Sequence, residues 1–306
     1  MGRYIVKRLI SMIITLFFIV TITFILMHTI PGGPFTGEKK LPPEIEAALN
    51  EKYHLNEPVF VQYTTYLKNI LKGDLGPSYQ VKGETVNHII AQTFPASAQL
   101  GVIAIAIILL IGVPLGVIAA LKQGTWVDSG VMFIAILGVT IPSFVIATLM
   151  IYVFAVKVHV LPAARWGTWR HMIMPSIALA SYSFAFIARL TRSSMLEVVS
   201  QDYIRTARAK GLSEGIVIFK HALKNALIPI VTYIGPLAAG LLTGSFVIEK
   251  IFAVPGLGRS FVESITNRDY TLIMGVTIFY AVFLVGMILI VDLLYGLIDP
   301  RIKYDD

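Results

Sequence analysis

The chain has 306 residues and not one of them is cysteine. Disulfide bonds, thiol catalysis and cysteine-ligated metal sites are therefore excluded. Charged side chains are also scarce, at 14% of the residues, whereas soluble domains usually carry about 25%. Since 56% of the residues are hydrophobic and the mean hydropathy is +0.76, the composition predicts a protein that crosses a membrane several times.

Sequence motifs of catalysis and of ion-driven transport are missing as well. There is no G-x-x-x-x-G-K-[ST] stretch to hold ATP, and neither H-E-x-x-H nor G-x-S-x-G occurs. The six histidines are scattered without metal-ligand spacing. Asp292 is the one carboxylate that is a candidate for an intramembrane proton site. An enzyme and an ion-coupled carrier are disfavoured, and no cofactor or metal is expected in this chain.

Long apolar runs predict six transmembrane helices. Their approximate bounds are 9–30, 97–121, 130–157, 172–194, 227–248 and 271–294. The run from 91 to 121 and the run from 129 to 156 contain no charged residue, which is informative because a charge at the centre of a bilayer costs about 2.5–3.5 kcal/mol. The predicted organisation is a first transmembrane helix over 1–30, a polar insertion over 31–96 and a five-helix core over 97–306.

The distribution of Lys and Arg predicts the orientation. With the N-terminus inside, thirteen Lys and Arg residues fall on inner segments and six on short outer connections. Inner segments of membrane proteins carry the excess of these residues. We therefore expect a multi-pass protein with both termini in the cytoplasm, the insertion 31–96 outside and the polar segment 201–229 inside.

The insertion 31–96 has helical patterns of its own. One begins at Pro43, a second follows Pro58 and ends at Gly73, and a third, shorter pattern runs from Val86 toward the second span. Turns are predicted between the second and third patterns, in Gly73–Ser78. These patterns predict a compact helical cap on the outer surface.

The segment 201–229, QDYIRTARAKGLSEGIVIFKHALKNALIP, is the long polar interruption of the C-terminal half. Two helical patterns meet at Gly211, and Ser213 is placed to cap the second. Ile216, Phe219 and Leu223 are predicted to share one apolar face. This is the pattern of a helix–turn–helix that docks on a partner, with small Ala207, Ala209 and Gly211 allowing a close approach. An ordinary basic loop remains an alternative, and DNA binding is disfavoured because membrane-length runs flank the segment.

The same segment resembles the cytoplasmic EAA loop of ABC-importer permeases, E-A-A-x3-G-x9-I-x-L-P, which lies in a groove of the ATPase subunit. The match places the second alanine at Ala207, the glycine at Gly211 and the leucine at Leu223. Four positions depart from the motif: Arg205 for the glutamate, Thr206 for the first alanine, His221 for the isoleucine and Lys224 for the proline. This RTARAKGL form is similar to the peptide-importer branch of the family. The ATPase-coupling residues that the resemblance implies are Arg205, Thr206, Ala207, Gly211, Ile216, Phe219, His221 and Leu223.

Other stretches resemble peptide-importer permeases too. They are PGGPFTGE after the first span, GDLGPS in the insertion, and VIEKIFAVPGLG with a following NRDY in the last outer connection. In that connection we expect Glu249, Lys250, Arg268 and Asp269 to be interfacial anchors or ion pairs rather than substrate ligands. The resemblance implies an all-α membrane protein with six transmembrane helices of the ABC-importer permease type and a helical periplasmic insertion after the first span.

The resemblance also implies a function and a set of partners. The chain would be the permease subunit of an oligopeptide ABC importer of the bacterial inner membrane. Its partners would be a second homologous permease, two ATP-binding subunits that hold ATP and Mg²⁺, an extracytoplasmic peptide-binding protein, the peptide and membrane lipid, with no nucleic acid. Importers of dipeptides, nickel chelates or antimicrobial peptides stay open as alternatives, as does an autonomous channel or ion-coupled carrier. Substrate-binding residues are not identified by the sequence.

Overall fold

The computed structural model describes residues 2–35 and 42–298, and the side chains of all of these except residues 2–5, 43 and 291–298. Every regular element in this part of the chain is a helix. The basic residues Arg301 and Lys303, the TGE of the PGGPFTGE stretch and the side chain of Asp292 lie outside it. Predictions that involve them stay predictions.

Among the residues that the structure describes, five helices are long and apolar enough to cross a membrane, and a bent pair adds a sixth candidate span. The five are Val6–Thr29, Val86–Leu121, Trp169–Val199, Ile228–Ile251 and Tyr270–Ile290. They cover the predicted first, second, fourth, fifth and sixth spans. The prediction of an all-α membrane protein is confirmed in the described chain, and the six predicted spans correspond to these five helices and the bent pair.

The third predicted span is not one continuous helix. Helices Trp126–Thr140 and Ser143–Lys157 meet at an angle of 105°. The break lies at Ile141 and Pro142, whose backbones are extended (ψ 123° and 141°). A residue before proline avoids the helical conformation, and proline lacks the N–H that would continue the helix. The sequence marks the break at Pro142, but the direction of the second helix follows from tertiary packing.

The helices are named in chain order. In the first half they are α1 (Gly2–Thr29), α2 (Pro43–Lys52), α3 (Val59–Leu71), α4 (Val86–Leu121), α5 (Trp126–Thr140) and α6 (Ser143–Lys157). In the second half they are α7 (Trp169–Val199), α8 (Asp202–Ala209), α9 (214–226), α10 (Ile228–Leu242), α11 (Phe246–Ile251), α12 (Leu257–Thr266) and α13 (Tyr270–Ile298). Short π-turns interrupt α4 at Ile108–Gly112 and α9 at Val217–Ala222, and a π-helical stretch, Ile151–Lys157, ends α6.

The described chain forms two compact units. The first unit lies within residues 1–96 and 255–286, and the second lies within 97–254 and 287–302. The segment 201–229 belongs to the second unit. The predicted boundaries 1–30, 31–96 and 97–306 describe the chain differently, and they stay predictions.

The first unit contains the predicted helical insertion. Helix α2 begins at Pro43, and α3 begins at Val59 and ends before Gly73, as the proline and glycine positions indicate. The third pattern is not a separate helix, because the chain continues from Val86 into α4 without a break and accommodates Pro95 inside the helix. Helix α3 contacts α1, where the hydroxyls of Thr21 and Tyr63 are 2.6 Å apart.

A buried carboxylate connects two of the sequence stretches in this unit. Asp269, in the NRDY stretch, is buried and accepts a hydrogen bond from the hydroxyl of Ser78, in GDLGPS. It also accepts from the backbone N–H of Tyr79 at 3.1 Å and from the hydroxyl of Thr271 at 3.0 Å. The expectation of an interfacial ion pair at Asp269 is therefore wrong. The carboxylate is an internal acceptor that holds the 73–79 turn to the start of α13.

Glycines let helices of the second unit come into backbone contact. A Cβ atom on Gly101 of α4 would lie 2.7 Å from the carbonyl carbon of Leu241 in α10, and one on Gly138 of α5 would lie 3.0 Å from the carbonyl oxygen of Ser181 in α7. Between membrane helices there is little hydrophobic driving force, so close van der Waals packing at small residues is a main source of association.

Glu249, in the same unit, lies in the protein interior. Its exposure is 0%, and its carboxylate accepts a hydrogen bond of 2.7 Å from the hydroxyl of Ser97. The expectation that Glu249 is an interfacial anchor is wrong, because helix α11 turns this side chain toward α4 while the neighbouring Lys250 is exposed. Ser97 could not be identified as its partner beforehand, since 152 positions separate the two residues.

An ion pair connects α5 to α7. The Nε and Nη2 atoms of Arg192 donate to the two carboxylate oxygens of Asp128 at 2.6 and 2.7 Å. The Asp128 side chain is 6% exposed and that of Arg192 is 25% exposed. Asp128 also accepts from the backbone N–H of Gly124 at 3.0 Å, so the turn between α4 and α5 is held against α7.

We predict that breaking this pair destabilises the second unit more than removing both charges. Arg192→Gln leaves a buried carboxylate without its cation, which costs about 3–5 kcal/mol. The double variant Asp128→Asn with Arg192→Gln removes both charges and keeps an acceptor for the Gly124 N–H. Its free energy of unfolding should therefore fall less than that of Arg192→Gln alone. The measurement is SDS-induced unfolding of the purified chain in mixed micelles. Additive effects of the two single substitutions would contradict the pairing.

A second prediction concerns the contact at Gly101. Gly101→Ala places a methyl group against the α10 backbone, and we expect overpacking to cost about 1–3 kcal/mol. The matched control is Gly130→Ala in α5, where a Cβ meets nothing within 4 Å; its better helix propensity should leave stability unchanged or slightly raised. The same unfolding assay measures both. Equal stability of the two variants would show that α4 and α10 do not pack at Gly101.

Candidate functional site

The segment 201–229 folds as two helices joined by a tight turn. Helix α8 ends at Ala209, and Gly211 adopts a left-handed conformation with φ +80°. The N–H of Gly211 bonds to the carbonyl of Arg208 at 2.9 Å, and that of Leu212 to the carbonyl of Ala207 at 3.4 Å. Glycine is favoured here because it adopts positive φ without a steric penalty.

An ion pair spans this turn. The guanidinium of Arg208 donates to both carboxylate oxygens of Glu214, with distances of 2.8 and 3.3 Å. A second contact joins the two helices further along, where the side-chain amide of Asn225 donates to the hydroxyl of Tyr203 at 2.8 Å. Both contacts are exposed, so each adds little to stability. Their geometry nevertheless fixes the angle between α8 and α9.

The inner face of the segment packs on the chain itself. Ile204 and Ala207 of α8 and Val217 of α9 are buried, in one apolar cluster with residues of α4 and α7. The cluster also contains Val117, Ala120, Met195, Ala222 and Ala226, with Leu223 partly buried against it. Ala207 therefore makes its close approach to this chain's own helices.

The outer face carries apolar side chains that are open to solvent or to a partner. Phe219 is 70% exposed, Ile216 is 45% exposed and Leu212 is 37% exposed. We call these three residues the outer apolar patch. Contiguous exposed apolar patches on a protein surface mark sites of interaction with other proteins or with a membrane.

The predicted single face of Ile216, Phe219 and Leu223 does not form. Leu223 packs inward, whereas Ile216 and Phe219 point outward. The reason is the π-turn Val217–Ala222, whose wider i→i+5 bonding changes the angular spacing that a regular α-helix would have. A pattern count with a period of 3.6 residues cannot anticipate such a turn.

The remaining residues singled out by the sequence have local roles. Arg205 is exposed, with its Nη1 atom 3.6 Å from a carboxylate oxygen of Asp202, and the hydroxyl of Thr206 donates to the Asp202 carbonyl at 3.0 Å. The backbone carbonyl of His221 accepts from Asn225 at 3.2 Å. Ser213 occupies the N-cap position of α9, although its side chain makes no capping hydrogen bond.

The sequence did not single out Tyr203, Glu214 or Asn225, which fix the geometry of the turn. Their hydrogen bonds cross between the two helices and have no characteristic spacing. Across residues 2–35 and 42–298, no group of three or more His, Asp and Glu side chains is arranged to hold a metal ion.

Comparison with protein families matches almost the entire chain. Residues 112–304 match the model of the binding-protein-dependent transport system inner membrane component. Residues 1–101 match the N-terminal model of the binding-protein-dependent transport system membrane component. The first match includes the whole of segment 201–229. This is a family of transport permeases and not of enzymes.

Similar proteins extend over the full length. The dipeptide transport system permease protein DppB of Bacillus subtilis is 52% identical over 303 residues, which is 99% of this chain and 98% of that protein. The oligopeptide transport system permease proteins OppB of Salmonella typhimurium and Escherichia coli are 49% and 48% identical over 306 residues, 99% of this chain and 100% of each.

A solved structure shows the fold. It is an inward-facing form of the MetNI methionine ABC transporter, with a TM-score of 0.54, 17% identity, and coverage of 69% of this chain and 96% of the matched chain. The two family matches, the full-length relatives and the helical architecture agree. The chain belongs to the family of binding-protein-dependent transport system inner membrane components.

Proposed function

We propose that this chain is the permease subunit of an ATP-driven importer of oligopeptides or dipeptides in the bacterial cytoplasmic membrane. Support for the substrate class comes from full-length relatives that are named as permease proteins of dipeptide and oligopeptide transport systems. The observation that carries the mechanism is the outer apolar patch, presented by a segment whose opposite face is buried in the chain's own core.

The importer needs partners that supply what this chain lacks. The sequence has no P-loop, so two separate ATPase subunits bind ATP and Mg²⁺. A second, homologous permease subunit completes the pathway, and an extracytoplasmic binding protein delivers the peptide. Membrane lipid surrounds the spans, and nucleic acid has no part in the mechanism.

The outer apolar patch is the proposed contact with the ATPase. Phe219 is its most exposed member, at 70%, and buried aromatic anchors dominate the energy of many protein interfaces. Exposed basic side chains of the same segment, Arg205 among them, would add charge complementarity. Gly211 and the ion pair between Arg208 and Glu214 hold the patch in position. Of the residues that the resemblance implied, Ile216 and Phe219 would touch the ATPase directly, and Ala207 and Leu223 would support them from the inner face.

Movement of the ATPase would reach the spans through the inner face. Ile204 and Val217 pack with Val117 of α4 and Met195 of α7. A displacement of the segment would therefore displace the ends of these two spans. It would also displace α10, which is the next helix in the chain. The pair formed by Asp128 and Arg192 extends this body to α5. The segment is thus connected to the second and fourth spans by packing, and to the fifth span through α10.

The nucleotide must distinguish two arrangements for transport to occur. A partner that bound both arrangements equally would shift neither. We propose that ATP-bound ATPases stabilise one position of segment 201–229 and that hydrolysis releases it, so that the pathway between the two permeases opens alternately. This requires the segment and both termini to face the cytoplasm, as the Lys and Arg distribution indicates.

The test is the substitution Phe219→Ala in the complete importer. Removing a central aromatic anchor should weaken ATPase association by at least about 2 kcal/mol, or about thirtyfold, with no loss of the permease from the membrane. The control is Phe133→Ala, since Phe133 is also an exposed aromatic residue, at 61%, but lies in α5. The measurement is the amount of ATPase recovered with the affinity-purified permease across a range of ATPase concentrations.

Two results would contradict this proposal. One is an undiminished recovery of ATPase with a variant that carries both Phe219→Ala and Gly211→Pro. Proline at position 211 disrupts the left-handed turn. The other is uptake of a labelled peptide such as tri-alanine into vesicles that contain this chain alone, which would favour an autonomous channel or carrier. The proposal expects uptake only with the second permease, the ATPases, ATP and the binding protein present.

A further inference from the structure

The first unit contains a pocket outside the segment 201–229. Its volume is about 650 Å³, within the range of about 300–1,000 Å³ that is usual for ligand sites. Its walls come from the end of α1, helices α2 and α3, the 75–79 turn and the beginning of α13. All these elements belong to the same compact unit.

Aromatic rings form much of the wall. The rings of Tyr53 and Tyr79 are 4.8 Å apart, and those of Phe24 and Tyr66 are 5.9 Å apart. Tyr270, at the start of α13, is 7% exposed and completes this lining. Packed rings give a ligand rigid apolar contact area, because few side-chain torsions are lost on binding.

The Asp269 network holds one side of the pocket in place. Asp269 accepts from the backbone of Tyr79 at 3.1 Å, and Thr271 donates to the carbonyl of Pro77 at 2.7 Å. Tyr79, Pro77 and Thr271 all line the pocket. This wall is therefore built by internal hydrogen bonds and does not need a ligand to form.

The polar groups around the pocket are mainly uncharged. Asn50, Asn56 and Asn69 line it, and their side-chain amides make no hydrogen bond within the described residues. The buried hydroxyls of Tyr66 and Tyr270 also have no hydrogen-bond partner there. Burial raises the pKa of Tyr66, and burial together with Asp269 raises the pKa of Tyr79 to about 12. Both tyrosines stay neutral at physiological pH.

The few charged groups nearby have contacts of their own. The Lys52 amino group lies 5.2 Å from the centre of the Tyr53 ring, and His54 is 3.2 Å from the carboxylate of Glu57. A phosphate or nucleotide site would need converging cations or backbone N–H groups. Neutral amide and hydroxyl groups beside aromatic rings instead match a ligand that offers peptide carbonyls and N–H groups together with apolar side chains.

We propose that this pocket is a subsite for the transported peptide, which binds part of the peptide main chain through the Asn side chains and one side chain against the tyrosine rings. The inference rests on the proposed function, since it takes peptides as the substrate. Main-chain recognition would suit a permease that accepts peptides of different sequence.

Photo-crosslinking in the complete importer tests this proposal. The probe is the tripeptide Ala-X-Ala, where X is p-benzoylphenylalanine, delivered by the binding protein to the importer in phospholipid nanodiscs. Met27 and Met274 line the pocket, so we expect probe adducts on one or both, identified by mass spectrometry and abolished by excess Ala-Phe-Ala. Asn69→Leu combined with Asn50→Leu should lower this labelling about tenfold, since two of the proposed amide contacts are lost.

Controls separate binding from folding. Asn267→Leu changes an exposed amide of the same unit outside the pocket and should leave labelling unchanged. Asn69→Leu alone removes one of these amides and should give a smaller decrease. ATPase association, measured on each variant, shows that the importer is assembled. A decrease in labelling that only accompanies loss of assembly would overturn the assignment of these residues.

The import of Ala-Phe-Ala, measured in the same preparation, separates this inference from the proposed function. If the importer takes up the tripeptide and no adduct forms in the pocket, the subsite proposal is wrong and the proposed function stands. If adducts form but are displaced by phosphatidylglycerol and not by Ala-Phe-Ala, the pocket is a lipid site and the proposal is equally wrong. If neither Ala-Phe-Ala nor the dipeptide Ala-Phe is taken up, the proposed function itself fails.

Discussion

The apolar contact between segment 201–229 and the ends of α4 and α7 is the interaction on which the proposed mechanism depends. Ile204, Ala207 and Val217 are buried against Val117 and Met195. Because this face is buried, the opposite face is presented outward, with Phe219 at its centre. Without the inner contact the segment would be a tethered peptide, and a force applied to Phe219 would move the segment and leave the spans where they are.

Rigidity in the second unit comes from two kinds of contact that suit a membrane protein. Glycine positions such as Gly101 bring helix backbones together, and buried polar pairs such as Asp128 with Arg192 and Ser97 with Glu249 connect helices that are distant in sequence. Lipid supplies little hydrophobic drive between helices, so these short-range contacts decide which helices move together. The first unit uses the same principle around Asp269, where a carboxylate joins a turn to a span and shapes one wall of the peptide-sized pocket.

Much of this fold could be predicted from the sequence because its signals are local. Charge-free runs define most of the spans, Pro142 marks the break in the third, and Gly211 marks the turn of segment 201–229. The parts that could not be predicted depend on distant partners or on irregular geometry. The π-turn Val217–Ala222 directs Phe219 and Leu223 to different faces. Glu249 is buried and accepts its hydrogen bond from Ser97 of another helix. The pocket wall depends on a hydrogen bond between Ser78 and Asp269, which are 191 positions apart.

The central claim is that segment 201–229 faces the cytoplasm and is covered there by the ATPase, and cysteine labelling tests it directly. The chain has no native cysteine, and Gly215 of α9 is exposed with open space around its Cβ position, so Gly215→Cys gives a single reporter thiol. A membrane-impermeant maleimide should label it in inside-out vesicles but not in right-side-out vesicles, and bound ATPase should reduce the labelling. Labelling from the outside, or labelling that bound ATPase leaves unchanged, would contradict the account.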